Sequence, residues 1–366
     1  MAKLPTKLRS TSRGPAAPGG AVHIQEVARH AGVSTSTVSN VLNGRTQRMS
    51  AATFERVSAS IRALNYHPNH SARLLRTGQT PMLGLLVPSI ANPFFGALAR
   101  EIDEAAQKRG YHLMLGNTYR DPNKEREFLE ALMRYGVRGA IITSSLAKQS
   151  QFAELIERGM ALVSFDRQET PEDSWPIDYV SIDNFHASEM ATRHLLDHGH
   201  RDIAYVTAPT RTLSRLDRRA GYQSAMKRAG LARKAEIIEP DMNTPFADSE
   251  MAELGHRVAA EIAAKAERPT AIVTMNDIIA IGLMAALHQH GLRVPEDVSV
   301  VGIDDIYLDS LMRPALTSMR QPLPEIASTM IEKLSARLAD PAAPASSHVF
   351  KADLVSRASV NRIAAE

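Results

Sequence analysis

Cysteine is absent from the 366-residue chain, which excludes a disulfide framework, a thiol nucleophile and a thiolate metal site. No uncharged apolar run reaches the roughly 18 residues of a transmembrane helix, so no membrane partner is expected. The N-terminus lacks the apolar core of a secretory signal, and a cytoplasmic location is the expectation. Catalytic signatures are missing too. There is no phosphate-binding P-loop, no G-x-G-x-x-G after a strand and no G-x-S-x-G elbow. His194-Leu-Leu-Asp-His198 spaces two imidazoles one helical turn apart, but no glutamate follows the first. It reads as a helix end running into Gly199-His-Arg201, so neither a metal, a cofactor nor catalysis is expected.

Acidic residues are scarce in one place only. Residues 1–79 carry 11 Lys/Arg against Glu26 and Glu55, whereas the remainder carries 32 bases against 38 acids. A basic head on an acidic body suits a nucleic-acid binder that touches phosphate with one part alone. Residues 1–21 hold four bases, no acid and the segment Gly14-Pro-Ala-Ala-Pro-Gly-Gly20. So little apolar surface cannot offset the entropy of ordering, and the stretch reads as a disordered basic arm.

The most informative segment lies directly after the arm. From Val22 to Leu64 the pattern gives two short amphipathic helices around a glycine turn, then a third helix capped by Ser50. Ala28 is small where two helices cross, Gly32 makes the turn, and Val38 faces back into the pair. This is helix-turn-helix spacing, whose second helix enters the DNA major groove. Thr35 and Ser36 open that helix and Asn40 comes one turn later. Hydroxyls both donate and accept, and an amide bonds adenine bidentately. Capping and a solvated helix face remain the alternative for these three. Ser34 and Thr37 suit a cap and phosphate contacts that set register, and Arg45 lies where it can meet phosphate. Residues 22–67 form this domain, and 68–79 read as a linker with a short helix too marginal to stand alone in water.

Beyond residue 80 short apolar runs alternate with amphipathic segments. Leu83–Val87, Tyr111–Leu115, Gly139–Thr143, Ala161–Phe165, Tyr179–Ile182, Ile203–Val206, Ala271–Thr274 and Val298–Ile303 are the expected strands. Strands of about five residues separated by helices imply parallel βαβ units. About ten units are too many for one layer, so residues 80–366 are expected as two α/β lobes with a ligand cleft at the strand C-termini.

The motifs Val27-Ala28-x-x-Ala31-Gly-Val-Ser-x-x-Thr37-Val-Ser39, Leu64-Asn-Tyr-x-Pro-Asn69, Ala72-Arg-x-Leu75, Asn92-Pro-Phe-Phe95, Arg218-x-Ala-Gly-Tyr222, Asn276-Asp277, Gly302-x-Asp-Asp305 and Gln321-Pro322 occur in this order. Together they resemble the lactose-repressor/galactose-repressor family of bacterial regulators, from Val22 to Arg362. The resemblance implies a repressor whose affinity for a palindromic double-stranded operator is switched by a small molecule, most often a sugar or sugar derivative. It implies a homodimer and a nucleoid-associated site of action. It also implies a two-lobed core like that of periplasmic sugar-binding proteins, with lobe one at about 80–183 and 322–342 and lobe two at about 184–320 and 343–362.

The resemblance assigns operator choice to Thr35, Ser36 and Asn40. Leu75 becomes a hinge-helix leucine wedged into the minor groove, with Asn69, Ala72 and Arg73 beside it. For the effector, polar and aromatic residues after strands are the candidates: Asn92, Phe94, Phe95, Asp166, Arg167 and Asp183. Resemblance adds Arg218, Asn276, Asp304 and Gln321. Asp183 and Asp277 serve equally well as helix caps, and which of Arg215, Arg218 and Arg219 face inward stays open. A periplasmic binding protein would explain the lobes without the basic head, and a nucleoid protein the head without the cleft.

Overall fold

The computed structural model describes residues 22–42, 45–47, 49–66, 80–143, 150–167, 175–209, 212–241 and 250–363. The chain divides into two units, Met1–Gly78 and Gln79–Glu366. The basic arm of residues 1–21 and the hinge with Asn69, Ala72, Arg73 and Leu75 lie outside the described residues.

In the first unit, α1 (Ile24–Ala31), α2 (Thr35–Leu42) and α3 (Ala51–Ala63) surround one small core. Glu26 accepts the His23 backbone N–H at 2.9 Å, satisfying a donor that the start of α1 would leave orphaned. Gly32 ends α1 at φ 64°, a left-handed turn that a side chain would strain. Ser50 caps α3 by accepting the Thr53 N–H at 3.2 Å. Val27, Ala28, Ala31, Val38, Val57 and Tyr66 are buried between the three helices. Ala28 and Ala31 are the small side chains that α1 contributes to this core.

The second unit contains two six-stranded sheets. The first is ordered β11–β5–β4–β3–β1–β2, from β1 (Met82–Val87), β2 (His112–Asn117), β3 (Gly139–Ile142), β4 (Ala161–Phe165), β5 (Asp178–Ile182) and β11 (Ser347–Phe350). The second is ordered β12–β10–β9–β8–β6–β7, from β6 (Ile203–Val206), β7 (Glu236–Ile238), β8 (Ala271–Thr274), β9 (Ser299–Asp304), β10 (Thr317–Arg320) and β12 (Asp353–Val355). All pairings are parallel except that of β12 with β10. Central strands such as β4 and β9 are buried along their whole length, as helices on both faces require.

The connecting helices are α4 (Pro93–Gln107), α5 (Pro122–Arg134), α6 (Ala153–Glu157), α7 (Asn184–Asp197), α8 (Leu213–Arg228), α9 (Met251–Ala264), α10 (Asp277–Gln289) and α11 (Leu323–Ala339). Helix α11 returns to pack on the first sheet beside α4. The lobe boundary expected near residue 343 needs correction. Strand β11 pairs with β5 from Ser347–Tyr179 to Phe350–Ile182, so the last crossing comes after Phe350. No helix among the described residues is long and apolar enough to cross a membrane.

Candidate functional site

On the first unit, the start of α2 is exposed. Thr35, Ser36 and Asn40 face solvent, while Val38 on the opposite side is fully buried. The Ser34 hydroxyl lies 2.7 Å from that of Ser36 and 2.9 Å from that of Thr37, and it accepts the Thr37 backbone N–H at 3.2 Å. The cap therefore ties the hydroxyls of the first turn together. A helix N-terminus with hydroxyls and no carboxylate favours an approaching phosphate. Arg45 is exposed just past the end of α2, its backbone N–H bonded to the Asn40 carbonyl at 2.9 Å.

In the second unit, a cavity of about 390 Å³, mouth included, opens between the two sheets at the C-terminal ends of their strands. Its lining is Asn92, Phe94, Phe95, Arg120 and Asp166 from the first lobe and Ser214, Arg215, Arg218, Met275, Asn276 and Asp304 from the second. Seven of the ten residues expected from sequence are in it.

Their placement has local causes. Asn92 caps α4, its Oδ1 accepting the Phe94 N–H at 3.0 Å, with Pro93 setting the first turn. Asn276 caps α10 in the same way, accepting the Ile279 N–H at 3.0 Å. Each cap uses the amide oxygen and leaves the NH2 as the donor end. The rings of Phe94 and Phe95 meet edge to face at 5.2 Å, and Phe94 stacks on Phe165 at 6.5 Å. Asp166 and Asp304 leave their strands at φ 64° and 133°, conformations rare for non-glycine residues and concentrated at functional sites.

Arg218 organises the floor. Its Nε donates to Asn184 Oδ1 at 2.7 Å, its Nη1 to the Met275 carbonyl at 2.7 Å, and its Nη2 lies 3.6 Å from Asp304. Asn184 in turn donates to Asp166 Oδ1 at 2.9 Å, so a single chain of bonds runs from the first lobe to the second. Burial alone would lower the Arg218 pKa, but Asp304 and Asp166 more than offset it and hold the guanidinium charged. For Asp304 burial dominates and pushes the carboxyl well above its usual range, Arg218 opposing.

Gln321 stands one bond behind the lining and donates to Asp304 Oδ1 at 2.8 Å. Its Oε1 is buried with no hydrogen-bond partner among the described residues. Arg167 and Asp183 are placed elsewhere. The Arg167 guanidinium is buried 5.4 Å from the Tyr179 ring, and Asp183 caps α7 by accepting the His186 N–H at 2.9 Å. Among the crowded arginines, Arg215 and Arg218 face inward, while Arg219 turns out to Glu239 at 3.3 Å.

Sequence reasoning missed Arg120, Ser214, Met275 and the bridging Asn184. Arg120 lies in a left-handed turn after β2, with Tyr119 and Arg120 at φ 55° and 57°, and its guanidinium is 6.0 Å from the Phe95 ring. His200, which follows the end of α7, bonds the Thr270 hydroxyl at 3.0 Å and the Asn361 carbonyl at 3.1 Å.

Comparison with known proteins agrees with both halves. Residues 23–69 match the model of bacterial regulatory proteins of the lacI family, and residues 192–360 that of a periplasmic binding protein-like domain. The chain is 36% identical over 319 residues to the ribose operon repressor of Escherichia coli K12, spanning 87% of this chain and 93% of that one. A crystal structure of the lac repressor dimer bound to operator and an anti-inducer superposes with a TM-score of 0.79 at 26% identity, covering 93% of this chain and all of that one. A regulator from Enterococcus faecium solved with bound ribose gives 0.67 at 27% identity, covering 77% and 100%.

Proposed function

Since the chain belongs to the lacI family of DNA-binding transcriptional regulators, we propose that it is a homodimeric repressor whose hold on a palindromic operator is set by a polyhydroxylated effector in the cleft. The observation that carries this reading is the cavity at the strand C-termini of both sheets, where seven expected residues converge. Amide donors from Asn92 and Asn276, carboxylate acceptors from Asp166 and Asp304, and the guanidinium of Arg218 suit a ligand with many hydroxyls. The Phe94 and Phe95 rings suit the apolar face of a sugar ring. Ribose in the Enterococcus faecium relative belongs to the same chemical class.

On the DNA side, Thr35, Ser36 and Asn40 read base edges, while Ser34, Thr37 and Arg45 hold phosphate and register. A single helix-turn-helix is too small to be selective, and two related by a dimer axis match a palindrome. Leu75, with Asn69, Ala72 and Arg73, completes the reading as the minor-groove wedge at the operator centre.

Selection of DNA from a random pool tests this. The purified protein is expected to enrich one palindrome, and the triple variant Thr35→Ala/Ser36→Ala/Asn40→Ala to lose or change it. Lack of enrichment by the parent, with and without a sugar panel, refutes the proposal.

A further inference from the structure

Asn184 is 2% exposed and stands where the chain first crosses between the sheets, as β5 gives way to α7. Its amide is used from both ends. Nδ2 donates to Asp166 Oδ1 at 2.9 Å and to the Ile182 carbonyl at 3.2 Å, while Oδ1 accepts from Arg218 Nε at 2.7 Å. Asp166 follows β4 in the first lobe and Arg218 stands on α8 in the second. One side chain thus joins both lobes and the segment between them. A neutral amide suits this post, because it donates to a carboxylate and accepts from a guanidinium at once. The helix does not need it: the cap of α7 is Asp183, which accepts the His186 N–H at 2.9 Å. In the first turn itself, alanine or aspartate favours a helix at least as well as asparagine.

The same chain of bonds reaches a second crossing. Arg218 Nη2 lies 3.6 Å from Asp304, and Asp304 Oδ1 accepts from Gln321 at 2.8 Å, where β10 gives way to α11. Two of the crossings between the sheets are therefore tied to the floor of one cavity. Asp166, Arg218 and Asp304 line that cavity, whereas Asn184 and Gln321 stand behind it. A ligand that contacts the lining acts on groups already bonded to the crossings. Buried polar networks respond as units, since moving one member leaves its neighbours short of a partner.

We propose that Asn184 is a positioning residue through which the cleft sets the angle between the lobes. It acts on operator affinity through its bonds to Asp166 and Arg218, not through contact with the effector. The inference rests on the cleft being the effector site.

Gel-shift titration of the full-length protein on an operator duplex enriched from a random pool tests the proposal, with urea unfolding alongside. Operator dissociation constants are measured without sugar and at saturating ribose, glucose or galactose, and their ratio is the coupling factor. For the parent we expect about fivefold or more with at least one of the three. Asn184→Ala removes both links. Asn184→Asp removes only the link to Asp166, setting carboxylate against carboxylate where an N–H stood. Both variants should bring the factor below about twofold, well under the usual allosteric range. The exchange Asn184→Asp/Asp166→Asn keeps the net charge and returns the donor from the opposite side. It should raise the factor again, to about threefold or more. A brace that merely stabilises the fold would lower the urea midpoint in the single variants and leave the factor unchanged. A factor kept at the parent's level in both single variants, or a double variant no better than Asn184→Asp, overturns the proposal while the effector reading stands. A parent that answers none of the three sugars overturns that reading and the proposal with it.

Discussion

Arg218 shows how much can depend on one side chain. Its guanidinium serves Asn184, the Met275 carbonyl and Asp304 at once, on the buried floor of the cleft. Replacement by alanine leaves a carboxylate and two acceptors buried without their donor, and breaking such a pair costs about 3–5 kcal/mol. Arg218→Ala is therefore expected to lower the urea midpoint and to abolish the effector-linked change in operator affinity. Arg218→Lys should rescue little, because an ammonium cannot reach three acceptors in a planar fork. Gly302 is as tightly constrained. A Cβ there would fall 1.9 Å from Asp277 Oδ1, and that carboxyl is pinned by the Ser318 hydroxyl at 2.7 Å and the Ile306 N–H at 3.2 Å. Gly302→Ala is expected to cost about 1–3 kcal/mol, read by the same unfolding measurement. On the DNA side, Asn40→Ala should weaken operator binding roughly tenfold or more, the worth of about 1–3 kcal/mol for a bidentate base contact, without altering thermal stability.

At the scale of elements, the start of α10 and the 3-10 turn Tyr307–Ser310 meet through two buried acids, Asp277 and Asp309. Burial pushes Asp309 up to about 7 and, together with Asp309 nearby, raises Asp277 well above its usual range. Between about pH 4 and 7 the folded protein keeps a proton that the unfolded chain has lost. Stability from this group is thus greatest at the acid end and falls as pH rises toward 7. Asp309→Asn should flatten that slope in unfolding measurements across the window; an unchanged slope would place the proton elsewhere. Neither acid could be read in this role from sequence, because the pairing joins a helix start to a turn some thirty residues on. Strands β1, β3 and β4 were legible because burial on both faces writes them as unbroken apolar runs. The Ser-His-Val-Phe of β11 and the Asp-Leu-Val of β12 are short, partly exposed edges that carry no such run. Without β11 in the first sheet, the lobe boundary falls too early. The cleft residue Asn92 could be found because a polar residue following a strand is a local pattern, whereas Asn276 entered through the family resemblance. Arg120 could not be found, because nothing in Asn117-Thr-Tyr-Arg120 marks a left-handed turn.

The whole molecule joins a basic DNA-binding unit to two lobes connected by three chain crossings, between β5 and α7, between β10 and α11, and between β11 and β12. A ligand that changes the angle between the lobes must therefore act through all three connections. The consequence is thermodynamic and independent of mechanism. If an effector changes the operator dissociation constant by some factor, saturating operator DNA must change the effector dissociation constant by the same factor. For allosteric proteins that factor is typically about 5–150-fold. Effector titrations of the full-length protein with and without a selected operator duplex measure it directly, and gel-shift titrations at zero and saturating effector measure its counterpart. The two ratios should agree, and the sign tells whether the ligand induces or corepresses. The 11 bases of the first 79 residues also make operator affinity fall steeply with salt, so both titrations must share one buffer. Equal effector affinity with and without operator would mean that the cleft and the DNA-binding unit are uncoupled. The chain would then bind both ligands without being switched by either.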